Sequence, residues 1–295
     1  MFTSIEGLKV NINDYSQDYA KNFKDLINQK DKDRTIKINQ IMSDIKDKNI
    51  FDIKHDEHEE TIYNHIKTLL EVKPGRLLIK TLIEIATISS EHTPIPIRNE
   101  NRGFFHHDHA AIDIDLRELS SDNDYNAVSG SNGVKCSRPT ALTLAHELIH
   151  ALHKKEEELR QEVTYFIRRH PLKALPNRLC AVEILPNPEF KDHTLQGYEA
   201  GLIFKGLDTL EEQHTILGVN VSNYLRRGRV TKLDVLSENA FLCAFNLPPR
   251  IDHKDVNDAF PEYTPTSQID LASYYDWISK KIEERNNKVT EHVWG

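Results

Sequence analysis

The segment His146-Glu147-Leu148-Ile149-His150 constrains this chain more than any other. On an α-helix, positions i and i+4 project from one face in successive turns. Two imidazoles so placed reach a single tetrahedral ion at the ~2.0–2.1 Å of a zinc–nitrogen bond. Glu147 then stands one step round, beside that ion, where a carboxylate takes a proton from an activated water and passes it to a leaving amine. Ser137 and Pro139 read as helix-start signals, and Leu142, Ala145, Ile149 and Leu152 recur at helical spacing on a face turned away from the histidines. The expectation is a buried amphipathic helix with a metal-dependent hydrolytic front. His153 shares that front, but its Cα lies about 10 Å along the axis from that of His146 at 1.5 Å per residue. It is read as a supporting or merely polar neighbour of the ligands.

A third ligand must come from elsewhere. Position 153 is His and position 156 is Glu, where a metzincin would carry a helix-breaking Gly and a further His or Asp. Glu156, Glu157, Glu158 and Glu162 follow too closely to fold back onto the ion, and beside Lys154 and Lys155 they read as a solvated face. The best candidate segment is Leu210 to Gly218, a second helix capped by Asp208 or Thr209 and ended by Gly218. Asp208 and Glu211 stand three apart as in a capping box, which leaves Glu212 as the free carboxylate. His214 competes for the metal, though a lone His here reads better as a surface or supporting residue.

Several motifs in order then carry a resemblance: Ala141-Leu142-Thr143-Leu144-Ala145 before the His-Glu-Leu-Ile-His core, Glu211-Glu212 ahead of His214-Thr215, Ser237-Glu238-Asn239, and Leu247-Pro248-Pro249-Arg250. Across residues 70 to 260 the chain resembles the NleD-like zinc-protease effectors that pathogenic bacteria inject into host cells. It is also similar to the light-chain proteases of clostridial neurotoxins. The resemblance implies a His/His/Glu (gluzincin-like) site with His146, His150 and Glu212 as ligands, one Zn2+ per chain, and a host protein as substrate. It also implies synthesis in a bacterium and delivery into the host cytosol. Those relatives place Gly five residues after the ligand Glu; here position 217 is Leu and Gly follows at 218, so a different turn is expected there.

Composition bounds the alternatives. With 38% apolar and 28% charged residues in 295, the chain has the balance of a soluble globular protein able to bury one large core or two modest ones. A net charge of −8 argues against a nucleic-acid footprint, and Arg226-Arg227-Gly228-Arg229, the one dense basic cluster, reads as an exposed turn. Cys136, Cys180 and Cys243 are odd in number and widely spaced, which speaks against a disulfide framework. The N-terminus lacks the order of a signal peptide, and no run approaches a membrane span. An aqueous, probable-monomer protein is expected.

Residues 1–60 read as an N-terminal helical extension, with Tyr19, Phe23, Leu26 and Ile27 on one face, and residues 61–295 as the catalytic domain. His55 and His58, among Asp56, Glu57, Glu59 and Glu60, read as part of a solvated charged helix or turn. Residues 63 to 88 read as two helices broken at Pro74-Gly75. Ile112, Ile114 and Leu116 alternate with Asp113 and Asp115, the signature of a half-buried strand. Ile112, Asp113 and Ile114 are the candidate sheet edge on which an extended substrate would pair, with an interior strand as the equal alternative. His106, His107 and His109 read as a loop. Glu238-Asn239 opens a helix that Pro248-Pro249 stops, and Arg250 and Tyr263 are the candidate stabilisers of a developing oxyanion, with Tyr198 behind them. Leu271, Tyr275, Ile278 and Ile282 line one face of a docked tail helix. The expected fold is α+β: a zincin-like domain with a small mixed sheet around the active-site helix. A non-catalytic zinc-binding interaction protein and a zinc hydrolase of a non-peptide bond are the competing readings.

Overall fold

A computed structural model describes residues 12–28, 34–53, 56–89, 92–99, 104–106, 111–114, 125–129, 135–139, 141–169, 210–219 and 229–247, with positions 249 and 280. Within these residues the architecture is α+β. Helices α1 (Ile12–Ile27), α2 (Arg34–Asp47), α3 (Asp56–Leu70), α4 (Lys73–Ile88) and α5 (Ala141–Arg169) are joined by two short ones, α6 (Leu210–Leu217) and α7 (Glu238–Ala244). Strands β1 (Phe51–Ile53), β2 (Ile95–Asn99), β3 (Phe104–His106) and β4 (Ala111–Ile114) form a mixed sheet in the order β1-β2-β4-β3. The first three pair in parallel and β3 runs antiparallel to β4. A separate antiparallel pair, β5 (Tyr125–Ser129) and β6 (Lys135–Pro139), leads into α5.

Helix α5 is the axis of the molecule. Leu142, Leu144, Ala145, Leu148, Ile149, Ala151 and Leu152 are all buried, so its first half is enclosed on nearly every side by α3, α4, α7 and the sheet. The expected apolar back face is thus part of a wider burial. Ser137 and Pro139 do not cap this helix; they lie in β6, where pairing with β5 occupies the segment. The second half is also less solvated than its charge pattern implies. Lys155 and Glu156 are buried, the ammonium of Lys155 donating to Thr93 Oγ1 (3.0 Å) and Glu158 Oε2 (2.9 Å).

The helices before the sheet share the same core. Tyr15, Tyr19, Phe23 and Leu26 of α1 and Ile38, Ile41 and Ile45 of α2 belong to one cluster of buried side chains with α3, α4, α5 and α7. Phe51 to Ile53 supply a strand of the sheet itself, pairing in parallel with Ile95 to Ile97. The break between α3 and α4 comes at residues 71–72, ahead of Pro74, because a proline in the first helical turn sacrifices no hydrogen bond. Gly75 follows for a packing reason: a Cβ there would run into the carbonyl of Leu69 at the end of α3.

Two readings of the sheet change. Ala111 to Ile114 are buried throughout, Asp113 included, because β4 is flanked by β2 on one side and β3 on the other. Ile112, Asp113 and Ile114 therefore do not form an open edge. Among the described residues the edges of this sheet are β1 and β3, and His106 lies in β3 and not in a loop. His107, His109, Arg226, Arg227, Tyr198, Arg250, Tyr263, Leu271, Tyr275, Ile278 and Ile282 lie outside the described residues, as do Cys180 and His55.

Candidate metal centre

His146 and His150 leave the buried half of α5 one turn apart and turn their Nε2 atoms toward each other, 3.1 Å apart. From α6, Glu212 completes a triangle: its carboxylate oxygens lie 3.3 Å from His150 Nε2 and 3.6 Å from His146 Nε2. Among the described residues this is the one group of three or more His, Cys, Asp or Glu side chains with ligand atoms close enough to hold an ion. The spacing tests the fit. Bonds of ~2.0–2.1 Å at a tetrahedral angle put neighbouring ligand atoms about 3.3 Å apart; the Nε2–Nε2 separation and the distance from each Nε2 to its nearer Glu212 oxygen, Oε1 for His150 and Oε2 for His146, lie close to that figure.

The far side of each imidazole is equally determined. His146 Nδ1 is 2.9 Å from Glu238 Oε2 on α7, a carboxylate with no exposed surface. His150 Nδ1 is 2.8 Å from Glu211 Oε1, with Thr215 Oγ1 at 3.2 Å. A carboxylate at Nδ1 holds the proton there and leaves the Nε2 lone pair to face an ion, while fixing the plane of the ring. Glu211 and Glu212 thus divide their work as adjacent positions on a helix must. One points behind His150 and the other points into the triangle.

His153 does not coordinate. Its Nδ1 donates to the same Glu211 Oε1, at 2.8 Å, and its ring stacks on that of His214 with centroids 3.8 Å apart and planes 7° from parallel. His214 is accordingly outside the triangle. Burial, reinforced by the neighbouring His153, holds its pKa well below the usual histidine value, so the ring is neutral.

The electrostatics follow from crowding. Burial disfavours a charged His150, but Glu211 and Glu212 more than offset it and push its pKa up to about 10. Burial acts against the Glu211 carboxylate too, and His153 and His150 override it, holding that group well below the ordinary glutamate range. Glu147 is almost fully enclosed. Burial raises its pKa, His146 and His150 pull it back in part, and Glu212 and Glu238 add to the rise. A carboxylate so destabilised is a better proton acceptor than one in water.

Short-range signals set up α7. Ser237 caps it, its hydroxyl accepting from Ala240 N at 3.3 Å. It ends not at Pro248 but on Asn246, in the left-handed region at φ 59°, with Leu247 N bonded back to Leu242 O and Asn246 N to Cys243 O. That closing pattern satisfies the last carbonyls before the prolines are reached. Sequence reasoning assigns Glu238 only to a helix start; its approach to His146 across 92 residues is tertiary. The available hint is a glutamate opening a helix in which every residue is buried.

A scan against protein-family models, a search of curated proteins and a search of solved structures return no match for this chain.

Proposed function

We propose that this chain is a zinc-dependent endopeptidase of zincin type, acting on a host protein after delivery by a bacterium as an NleD-like effector. The observation that carries the reading is the triangle of His146 Nε2, His150 Nε2 and a Glu212 oxygen, with both Nδ1 atoms held by carboxylates and Glu147 buried on the same helix. Three protein ligands among the described residues is the number of a catalytic site; structural zinc sites close with four. Zinc in that position polarises a scissile carbonyl and makes water acidic enough to react near neutral pH.

The chain's own residues supply the rest. Glu147 takes a proton from the attacking water and returns it to the departing amine, so the carboxylate ends as it began. Glu238 and Glu211 keep the two ligand rings in one orientation and one tautomer. β3 packs on α5 and is the sheet edge that an extended substrate would reach among the described residues. Arg250 and Tyr263 are proposed to meet the oxyanion.

The test is Glu147→Gln. The variant is expected to hold one zinc per chain as the parent does, and to lose at least about a hundredfold in cleavage rate, the lower bound for removing a general base. Parent and variant are incubated with host-cell lysate and new peptide termini are mapped. Equal cleavage by both would overturn the mechanism, and a parent that holds metal but generates no termini would favour a zinc-binding interaction protein.

A further inference from the structure

Helix α1 lies more than a hundred residues upstream of every residue of the triangle, yet its side chains grip the segments that carry Glu212 and precede Glu238. Tyr19 Oη donates to Leu217 O at 2.6 Å, both residues being buried. Leu217 is the last residue of α6, the helix that presents Glu211 and Glu212 in its first turn. One turn away on α1, Asn22 Nδ2 donates to Val230 O at 2.9 Å and Asp18 Oδ2 accepts from Val230 N at 3.3 Å, which secures the chain shortly before α7. Tyr19 is flanked along the helix by Tyr15, at 6.4 Å between centroids and tilted by 31°, and by Phe23, at 5.7 Å and stacked.

The hold on Leu217 matters because α6 has only eight residues. A helix of two turns does not persist in water without tertiary support, so its direction is set by its attachments. At its C-terminal end there are two. Gly218, at φ 68°, closes the last turn through its N–H to His214 O at 2.8 Å and packs against the backbone of Val235. Tyr19 takes the carbonyl of Leu217, one of those a helix leaves without an internal partner.

We propose that Tyr19 is a positioning residue for the metal centre, and that α1 sets the aim of Glu212 toward His146 and His150. The proposal rests on the metal-site reading above. It assigns to the N-terminal region a part in metal affinity.

The experiment compares Tyr19→Phe with Ile41→Val in the full chain, using zinc affinity by chelator competition and the visible spectrum of the cobalt-substituted protein. Tyr19→Phe removes one hydroxyl and is expected to weaken zinc about threefold to tenfold, the span of one net buried hydrogen bond, and to alter the cobalt bands. Ile41→Val trims the same core from α2, which packs on α3 and α4, and is expected to lower the unfolding temperature while leaving affinity and spectrum alone. Asn22→Ala, which frees Val230, is expected to weaken zinc in the same direction as Tyr19→Phe. Unchanged affinity in Tyr19→Phe, or equal losses in Tyr19→Phe and Ile41→Val, would overturn the proposal. A parent protein that binds no zinc would instead sink the metal-site reading itself.

Discussion

Replacing Glu238 by Gln tests whether the carboxylates behind the imidazoles belong to the metal centre or merely share its burial. Glu238 Oε2 sits 2.9 Å from His146 Nδ1 in a side chain with no exposed surface. Gln keeps the shape and an acceptor oxygen but removes the charge. Losing an outer carboxylate of this kind typically weakens metal binding 10- to 100-fold. At about 1.4 kcal/mol per tenfold, that is roughly 1.4 to 2.7 kcal/mol. A hydrogen bond to a charged group is independently worth about 1.5–3 kcal/mol. Because Gln retains part of the bond, the lower end applies, about a tenfold rise in Kd. The metal-free protein responds in the opposite sense: removing a fully buried charge removes its desolvation cost, so thermal stability without metal stays level or rises. The assay is chelator competition for affinity, paired with thermal unfolding with and without excess zinc. The zinc-induced gain in stability should fall by about 1.4 kcal/mol at matched zinc concentration. A Kd within about threefold of the parent, well under the tenfold expected, would refute the reasoning, as would lost affinity accompanied by an equal loss of metal-free stability.

Two further outcomes follow from the same geometry. With its pKa pushed up to about 10, His150 carries a proton at pH 7.5 in the metal-free protein, and an ion must displace it. Calorimetry in buffers of different ionisation enthalpy should find about one proton released per zinc from this ring, whereas an ordinary histidine near 6.5 would release about a tenth. The sign for stability is that of a raised pKa: the contribution to metal-free stability is complete below pH 6.5 and is lost as pH rises through about 10. Urea midpoints that climb over that interval would contradict it. Gly218→Ala should destabilise by more than about 1 kcal/mol, since φ is 68° and the new methyl would come within 2.9 Å of Val235 O. A stability change near zero would show that this turn relaxes freely.

The convergence of His146, His150 and Glu212 was legible because its logic is largely local. A helix has a fixed 3.6-residue repeat, so His146, Glu147 and His150 had to share one side of α5 whatever surrounded them. Adjacent Glu211 and Glu212 had to diverge for the same reason. Buried positions on α1 and α5 were legible from the apolar period in the same way, though not how completely α5 is enclosed. Long-range pairing was not legible. Whether β4 is edge or interior depends on β2 and β3 lying beside it, and an alternating pattern looks the same until those neighbours are placed. Lys155 reads as solvent-facing from its neighbours in sequence, but the approach of Thr93 buries it.

By itself, then, the sequence determined the helix that bears two imidazoles and a carboxylate, and the helix that bears the third donor, because helical periodicity and the glycine stop at Gly218 act within a few residues. Tertiary structure alone decided that Glu238 stands behind His146, that Glu211 serves His150 and His153 together, and that Tyr19 reaches Leu217 across 198 residues. Those contacts join segments that no local rule relates. They form because burial of one shared core brings the segments together, and a polar group taken out of water must find a partner among whatever arrives beside it.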